Sequence, residues 1–185
     1  MVAFQQGDHA AFEQLLLRHQ KAVTRFVLRF VSDRELARDL VQEVFTRVID
    51  KRASFSRRAR FTTWLYTIAR NLCIDHHRRM KFRRHASLDA PRGKDGDERT
   101  LKERMKIEQP GPDEQADNKR IGERIERAVQ NLPPEQREVL LLREQGVAFD
   151  EIAGMVGVSI NTVKSRMRYA LEHLKKALEA EGVMP

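Results

Sequence analysis

A single cysteine, Cys73, stands among 185 residues, which excludes an internal disulfide framework and points to a reducing compartment. No apolar run approaches the roughly 18 residues that a bilayer crossing requires. The first residues also lack a charged-then-apolar signal segment, so no membrane insertion is expected and the cytoplasm is the expected location. Glycine (9), proline (6) and aromatic residues (6%) are scarce, whereas Leu, Ala, Glu, Lys and Arg abound, a balance that favours helices over sheets. Also missing are a phosphate-binding glycine loop, a nucleophile elbow and a paired-carboxylate pattern. The expectation is an all-α protein of two small helical domains, with no cofactor and no enzymatic activity of its own.

Positive charge is what the chain has in excess: 35 Lys and Arg against 27 Asp and Glu, a formal charge of +8. That balance implies an anionic partner, since net charge governs association rather than fold. The excess is local. Residues 1–85 carry 18 basic and 8 acidic groups, 86–118 carry 6 and 9, and 119–185 carry 11 and 10.

Hydrophobic spacing organises the first part into three helices. Phe12, Leu15, Leu16, His19, Val23, Phe26, Val27 and Phe30 recur at three- and four-residue steps, with Asp8 as the expected cap, predicting a helix over about 8–30. Ser32-Asp33-Arg34-Glu35 reads as a capping box opening a second helix that buries Leu36, Leu40, Val41, Val44, Phe45, Val48 and Ile49. A third helix is predicted from Thr62 or Thr63, burying Leu65, Ile68, Leu72 and Cys73 and ending in Arg78, Arg79, Lys81, Arg83 and Arg84. The domain boundaries that follow are 1–86 for the first body, 87–118 for a flexible polar linker broken by Pro91, Gly93, Gly96, Pro110, Gly111 and Pro112, and 119–185 for the second body. Within the linker only Glu98–Ile107 has helical character. In the second body, Ile121, Ile125, Ala128, Val129 and Leu132 form one stripe, Pro133-Pro134 opens a helix carrying Val139–Leu142 that stops near Gly146, and two shorter helices follow.

Those last two helices have the spacing of a helix-turn-helix. Ala153 is small where the second helix crosses, Gly157 permits the tight turn, Ser159 caps, and Ile152, Val158 and Val163 fill the angle. The second helix then presents Asn161, Thr162, Lys164, Ser165, Arg166 and Arg168, donors suited to phosphates and to base edges in a major groove. An αα-corner that binds nothing shares this spacing, but not this set of cationic donors.

The first body carries a second constellation. Trp64, Thr67, Arg70, Asn71, Asp75 and Arg78 recur on one side of the third helix, and residues 57–84 hold nine basic groups, Arg57, Arg58 and Arg60 among them, against one acid, Asp75. Cations flanking an aromatic and an amide suit single-stranded DNA, whose backbone is tracked while its bases stack or are hydrogen-bonded. A Trp in the core with solvated charges around it is the plainer alternative. On the second helix Asp39, Gln42 and Glu43, with Thr46 and Arg47, form an acidic-polar face opposite the apolar stripe, either solvated or a protein-docking surface.

Two other function classes fit part of the chain. A stand-alone helix-turn-helix regulator of duplex operators leaves the acidic face and the basic helix without a role. A DNA recombinase or metal-dependent hydrolase needs a site, and Cys73, His76 and His77 supply neither a third outside ligand nor a supporting shell, so no metal is expected.

Five ordered segments carry a resemblance: Gly7-Asp8 with Ala11-Phe12, Asp39-Leu40-Val41-Gln42-Glu43-Val44-Phe45, the run from Phe61 to Asn71, Leu132-Pro133-Pro134-Glu135-Gln136-Arg137-Glu138-Val139, and Thr162-Val163-Lys164-Ser165-Arg166. Across nearly its whole length the chain resembles the extracytoplasmic-function (ECF) sigma factors, the two-domain branch of the bacterial sigma-70 family. That resemblance implies a subunit that binds core RNA polymerase through its clamp and flap regions, directs it to specific promoter DNA and assists melting. It implies polymerase contact at Asp39, Gln42 and Glu43, and capture of the minus-ten non-template strand around Arg57, Arg58, Arg60, Trp64, Arg70, Asn71 and Arg78. It further implies minus-thirty-five reading by Lys164, Ser165 and Arg168, with Asn161, Thr162 and Arg166 nearer the phosphates, and control by an anti-sigma protein. The family's loop before the third helix carries a glycine after its Phe-Arg; here Phe55-Ser56-Arg57-Arg58-Ala59-Arg60 has none.

Overall fold

An aspartate ahead of an amphipathic stretch can satisfy amides that the first helical turn leaves without a partner, and the chain uses this device twice. In the computed structural model, which describes residues 1–56, 59–86 and 112–183 and only the backbone of 81–86 and 112–119, the Ala11 amide donates to Asp8 and the Leu36 amide to Asp33, each at 3.0 Å. These caps open α2 (His9–Val31) and α3 (Arg34–Asp50). The expected Ser32–Glu35 capping box is corrected. Ser32 ends α2 in the left-handed conformation, φ 61°, and its hydroxyl bonds to Gln130, so the cap of α3 falls to Asp33.

Before α2 lies a four-residue helix that periodicity gave no hint of, α1 (Val2–Gln5); after α3 comes a 3₁₀ turn, Arg52–Ser54, and then α4 (Phe61–Ala86). The second body contains α5 (Pro112–Gln130), α6 (Pro134–Glu144), α7 (Phe149–Val156) and α8 (Ile160–Ala180). Two expectations change. Helix α5 begins at Pro112, inside the stretch read as linker, because proline is tolerated in a first turn. Helix α8 is long, 21 residues, because its apolar face continues through Ala170 to Leu174 along the bundle. The Glu98–Ile107 segment and most of the expected linker lie outside the described residues.

Most of the predicted stripes are buried: Val23, Phe26, Val27 and Phe30 on α2, Leu40, Val41, Val44, Phe45 and Val48 on α3, and Leu65, Ile68, Leu72 and Cys73 on α4. Ile49 is not; Val48 takes the inward position and Ile49, about 100° further round, is 38% exposed. In the second body Val129, Leu132, Val139–Leu142, Ile152 and Val163 are buried, whereas Ile121 and Ile125 sit at the rim.

The two bodies are docked, not apart. Helix α2 packs on α6, and the buried residues of both halves form one continuous cluster. Polar groups stitch the seam. Arg29 pairs with Glu126 and Glu144, Arg70 with the buried Glu138, the Tyr66 hydroxyl donates to Gln145 at 2.7 Å, and the Thr63 hydroxyl donates to Glu151 at 2.8 Å.

Candidate nucleic-acid interface

On α4 two stripes run side by side. Thr63, Tyr66 and Arg70 lie at i, i+3 and i+7 and face the second body. Trp64, Thr67, Ile68, Asn71 and Asp75 lie on the neighbouring face and, with Arg47 and Lys51 of the α3 end and Ser54 of the 3₁₀ turn, line a concavity of ≈ 330 Å³. That is the low end of the roughly 300–1,000 Å³ of ligand sites, a size for one small planar group. Its chemistry is mixed. Two cations, Arg47 and Lys51, line it together with the Asn71 amide, the Asp75 carboxylate and the indole of Trp64.

Aromatic packing sets the indole. The Phe55 ring meets Trp64 edge-on at 5.5 Å, Phe61 lies 6.1 Å from it, and His19 of α2 meets Phe61 edge-on at 5.2 Å. Burial in this cluster, with Arg18 nearby, pushes the His19 pKa below its usual value. Arg47 is held at the concavity by Glu43, Nε to carboxylate 2.9 Å.

The expected strand-binding set is therefore divided. Trp64 and Asn71 meet in the concavity; Arg60 and Arg78 are exposed on the same helix or just before it. Arg70, 15% exposed, reaches both faces: its guanidinium pairs with Glu138 across the seam and donates to Asn71 Oδ1 at 3.2 Å. Arg57 and Arg58 lie outside the described residues. Sequence reasoning did not count Lys51, Ser54 and Ile68 among the strand-binding residues and placed Arg47 only on the acidic face, although Arg47 and Lys51 at i, i+4 signal one cationic edge. Asp39, Gln42 and Glu43 are all exposed on α3, forming a continuous face that adjoins the concavity at Arg47.

The helix-turn-helix has the expected geometry. Gly157 takes φ 74° at the turn, with its amide donating to the Ala153 carbonyl at 2.9 Å, and Ile152 and Val163 are fully buried at the crossing. The Thr162 amide donates to Ser159 at 3.1 Å, capping α8. Before the motif, Arg143 donates to the Val147 carbonyl at 2.6 Å and lies 4.4 Å over the Phe149 ring, fixing the entry. Asn161, Thr162, Lys164 and Arg168 are exposed, Ser165 and Arg166 half-buried. The Ser165 hydroxyl donates back to the Asn161 carbonyl at 2.9 Å, and Arg168 lies 3.7 Å from Glu172, which limits its reach until that weak surface pair exchanges for another acceptor.

Among the described residues no three His, Cys, Asp or Glu side chains gather around a point that could hold a metal, and no helix is long and apolar enough to cross a membrane. Cys73 is fully buried, which pushes its thiol up to about 12.

Comparison with known proteins covers both bodies. Residues 15–83 match the family described as Sigma-70 region 2, and residues 122–174 match Sigma-70, region 4. The chain is 32% identical to the RNA polymerase sigma-H factor of Pseudomonas aeruginosa, over 95% of this chain and 90% of that one. It is 29% identical to the ECF RNA polymerase sigma-E factor of Escherichia coli, over the same shares. Among solved structures, the sigma factor RpoE of Bartonella quintana, in complex with the anti-sigma factor NepR, superposes with a TM-score of 0.67 at 27% identity, covering 91% of this chain and 97% of that one.

Proposed function

This chain belongs to the ECF branch of the sigma-70 family, the initiation factors that bring core RNA polymerase to promoters, and from that premise we propose how its residues divide the work. The body within 1–86 holds the polymerase clamp through Asp39, Gln42 and Glu43 and takes an unstacked base of the minus-ten non-template strand into the α3–α4 concavity. Trp64 supplies a stacking surface, Asn71 a donor and acceptor for a base edge, and Arg47, Lys51, Arg60 and Arg78 the charge that tracks the backbone. Arg57, Arg58 and Arg70 belong to the same basic field; Arg70 joins it once the seam with Glu138 is open.

The body within 119–185 reads the minus-thirty-five duplex. Lys164, Ser165 and Arg168 face base edges, and Asn161, Thr162 and Arg166 the phosphates. The flap of polymerase and a dedicated anti-sigma protein are the remaining partners, the latter supported by the Bartonella relative's complex. The protein catalyses nothing by itself and acts in the cytoplasm, where polymerase is.

Energetics make the partner obligatory. Opening about ten base-pair steps at ~1.4 kcal/mol each costs roughly 14 kcal/mol, while two or three captured bases return about 1–3 kcal/mol apiece. The shortfall falls to polymerase contacts. The observation that carries this reading is the concavity pairing the one tryptophan with an amide and two cations, on the same chain as a helix-turn-helix. Run-off transcription from a promoter library, with purified core polymerase and with or without this chain, tests it. Initiation at a defined promoter set only when the chain is present supports it; protection of operator duplex by the chain alone, with no association with core, refutes it.

A further inference from the structure

The short helix α1 has no part in the division of work above, yet it is tied to the one wall of the concavity that no helix provides. Ser54, which lines the concavity, sits in the segment between α3 and α4. The Gln5 carboxamide reaches this segment from α1 and donates from Nε2 to two backbone carbonyls, Arg52 at 2.6 Å and Phe55 at 2.9 Å, one on each side of Ser54. A second tie lies beside the first: the Arg52 guanidinium is 5.8 Å over the Phe4 ring. Phe4 is itself anchored, 4% exposed and stacked on Phe12 of α2 at 4.8 Å. Phe55, whose carbonyl Gln5 holds, presses its ring on Trp64. A continuous line of contacts therefore runs from the core of the first body through Phe4 and Gln5 to both the Ser54 wall and the indole.

Length explains why a side chain is used. The turn Arg52–Ser54 has three residues and is followed by extended backbone at Phe55, so helical bonds reach few of its carbonyls; the Arg52 carbonyl takes one, long at 3.3 Å, from the Phe55 amide. A single amide NH₂ carries two donors and can serve both carbonyls at once.

We propose that α1 is a brace for the base-capturing wall, with Gln5 the positioning residue: by bridging the Arg52 and Phe55 carbonyls it sets the placement of Ser54 and Trp64, and so the base preference of the concavity. The proposal rests on the reading that this concavity takes a minus-ten base.

The test uses holoenzyme assembled from core polymerase and the full chain, and open-complex formation on promoters carrying each of the four bases at every minus-ten position. Gln5→Ala should reduce the preference for the best over the worst base at one position by about tenfold, the order expected when hydrogen-bonded placement is lost. Core affinity and minus-thirty-five preference should be unchanged. Gln5→Glu, the same size without a donor, should behave like Gln5→Ala, and Gln5→Lys, whose ammonium can donate to both carbonyls, should restore the preference. Trp64 is the sole tryptophan, so its emission should shift in Gln5→Ala and return in Gln5→Lys. If Asn71→Ala abolishes the base preference while Gln5→Ala leaves it intact, the brace is wrong and the capture reading stands. If neither variant alters the preference, the capture reading is wrong and the brace falls with it. A Gln5→Ala protein that loses thermal stability, core binding and both preferences together would show a merely structural residue and overturn the proposal.

Discussion

Replacing Glu138 with alanine should part the two helical bodies without unfolding either. Glu138 and Arg70 are 8% and 15% exposed, and Arg70 is the cation that answers the buried carboxylate. Removing one partner from a buried pair costs about 3–5 kcal/mol, because the remaining charge has lost both water and counterion. The other polar ties of the seam, the Ser32–Gln130 and Gln130–Arg29 bonds among them, are individually weak. Glu126 and Glu144, the partners of Arg29, are 45% and 38% exposed, so those pairs contribute about 0–1 kcal/mol each. The Thr63–Glu151 and Tyr66–Gln145 hydrogen bonds add about 0.5–1.5 kcal/mol apiece. The penalty is thus comparable to these polar ties, leaving the apolar α2–α6 contact to hold the bodies, and separation relieves it by returning the Arg70 guanidinium to water. Small-angle scattering checks the outcome: a compact chain of this length has a radius of gyration near 16 Å, and Glu138→Ala should scatter well above the wild type with the same helical circular dichroism. The double replacement Arg70→Met with Glu138→Leu, which leaves no charge stranded, should stay docked. A Glu138→Ala protein whose scattering curve overlays the wild type would refute this reasoning.

Further outcomes are expected elsewhere. Lys164→Ala or Arg168→Ala should weaken discrimination of the minus-thirty-five element by about 1–3 kcal/mol, measured as the affinity ratio for cognate and mutated duplex by holoenzyme; unchanged selectivity in both would remove α8 as the reader. Glu43→Lys should abolish co-purification with core polymerase while circular dichroism stays unchanged, since Glu43 is exposed and only its own-helix pair with Arg47 is lost. The His19 pKa is lowered in the folded chain, so below pH 6.5 the unfolded chain takes up a proton that the folded chain resists; stability should fall as pH drops through that value toward the folded pKa. Melting curves of wild type and His19→Phe across pH 5 to 7 test this, the variant being expected to lose part of that pH dependence and an unaltered slope counting against it.

Much of the site was legible because its signals are local. Gly157, Ser159 and Val163 mark the turn, the cap and the crossing by spacing alone, and Trp64 and Asn71 share a face by being seven residues apart. Where the reading went astray, two neighbouring residues competed for one role. Ser32 and Asp33 could each cap α3, and the choice went to Asp33 only because Ser32 was needed to stop α2. Val48 and Ile49 could each face inward, and packing against α2 and α4 chose Val48.

By itself the sequence determined the cores of the helices from α2 on, the helix-turn-helix, and the concentration of positive charge in the first body, since periodicity, caps and composition act within a few residues of one another. Tertiary structure alone decided which of the two stripes on α4 meets the second body, that Arg70 answers Glu138 while holding Asn71, and that Gln5 reaches across 47 residues to the wall of the concavity. The reason is geometric. A helix repeats its faces every 3.6 residues, so spacing shows which residues travel together but carries no information about what will be packed against them.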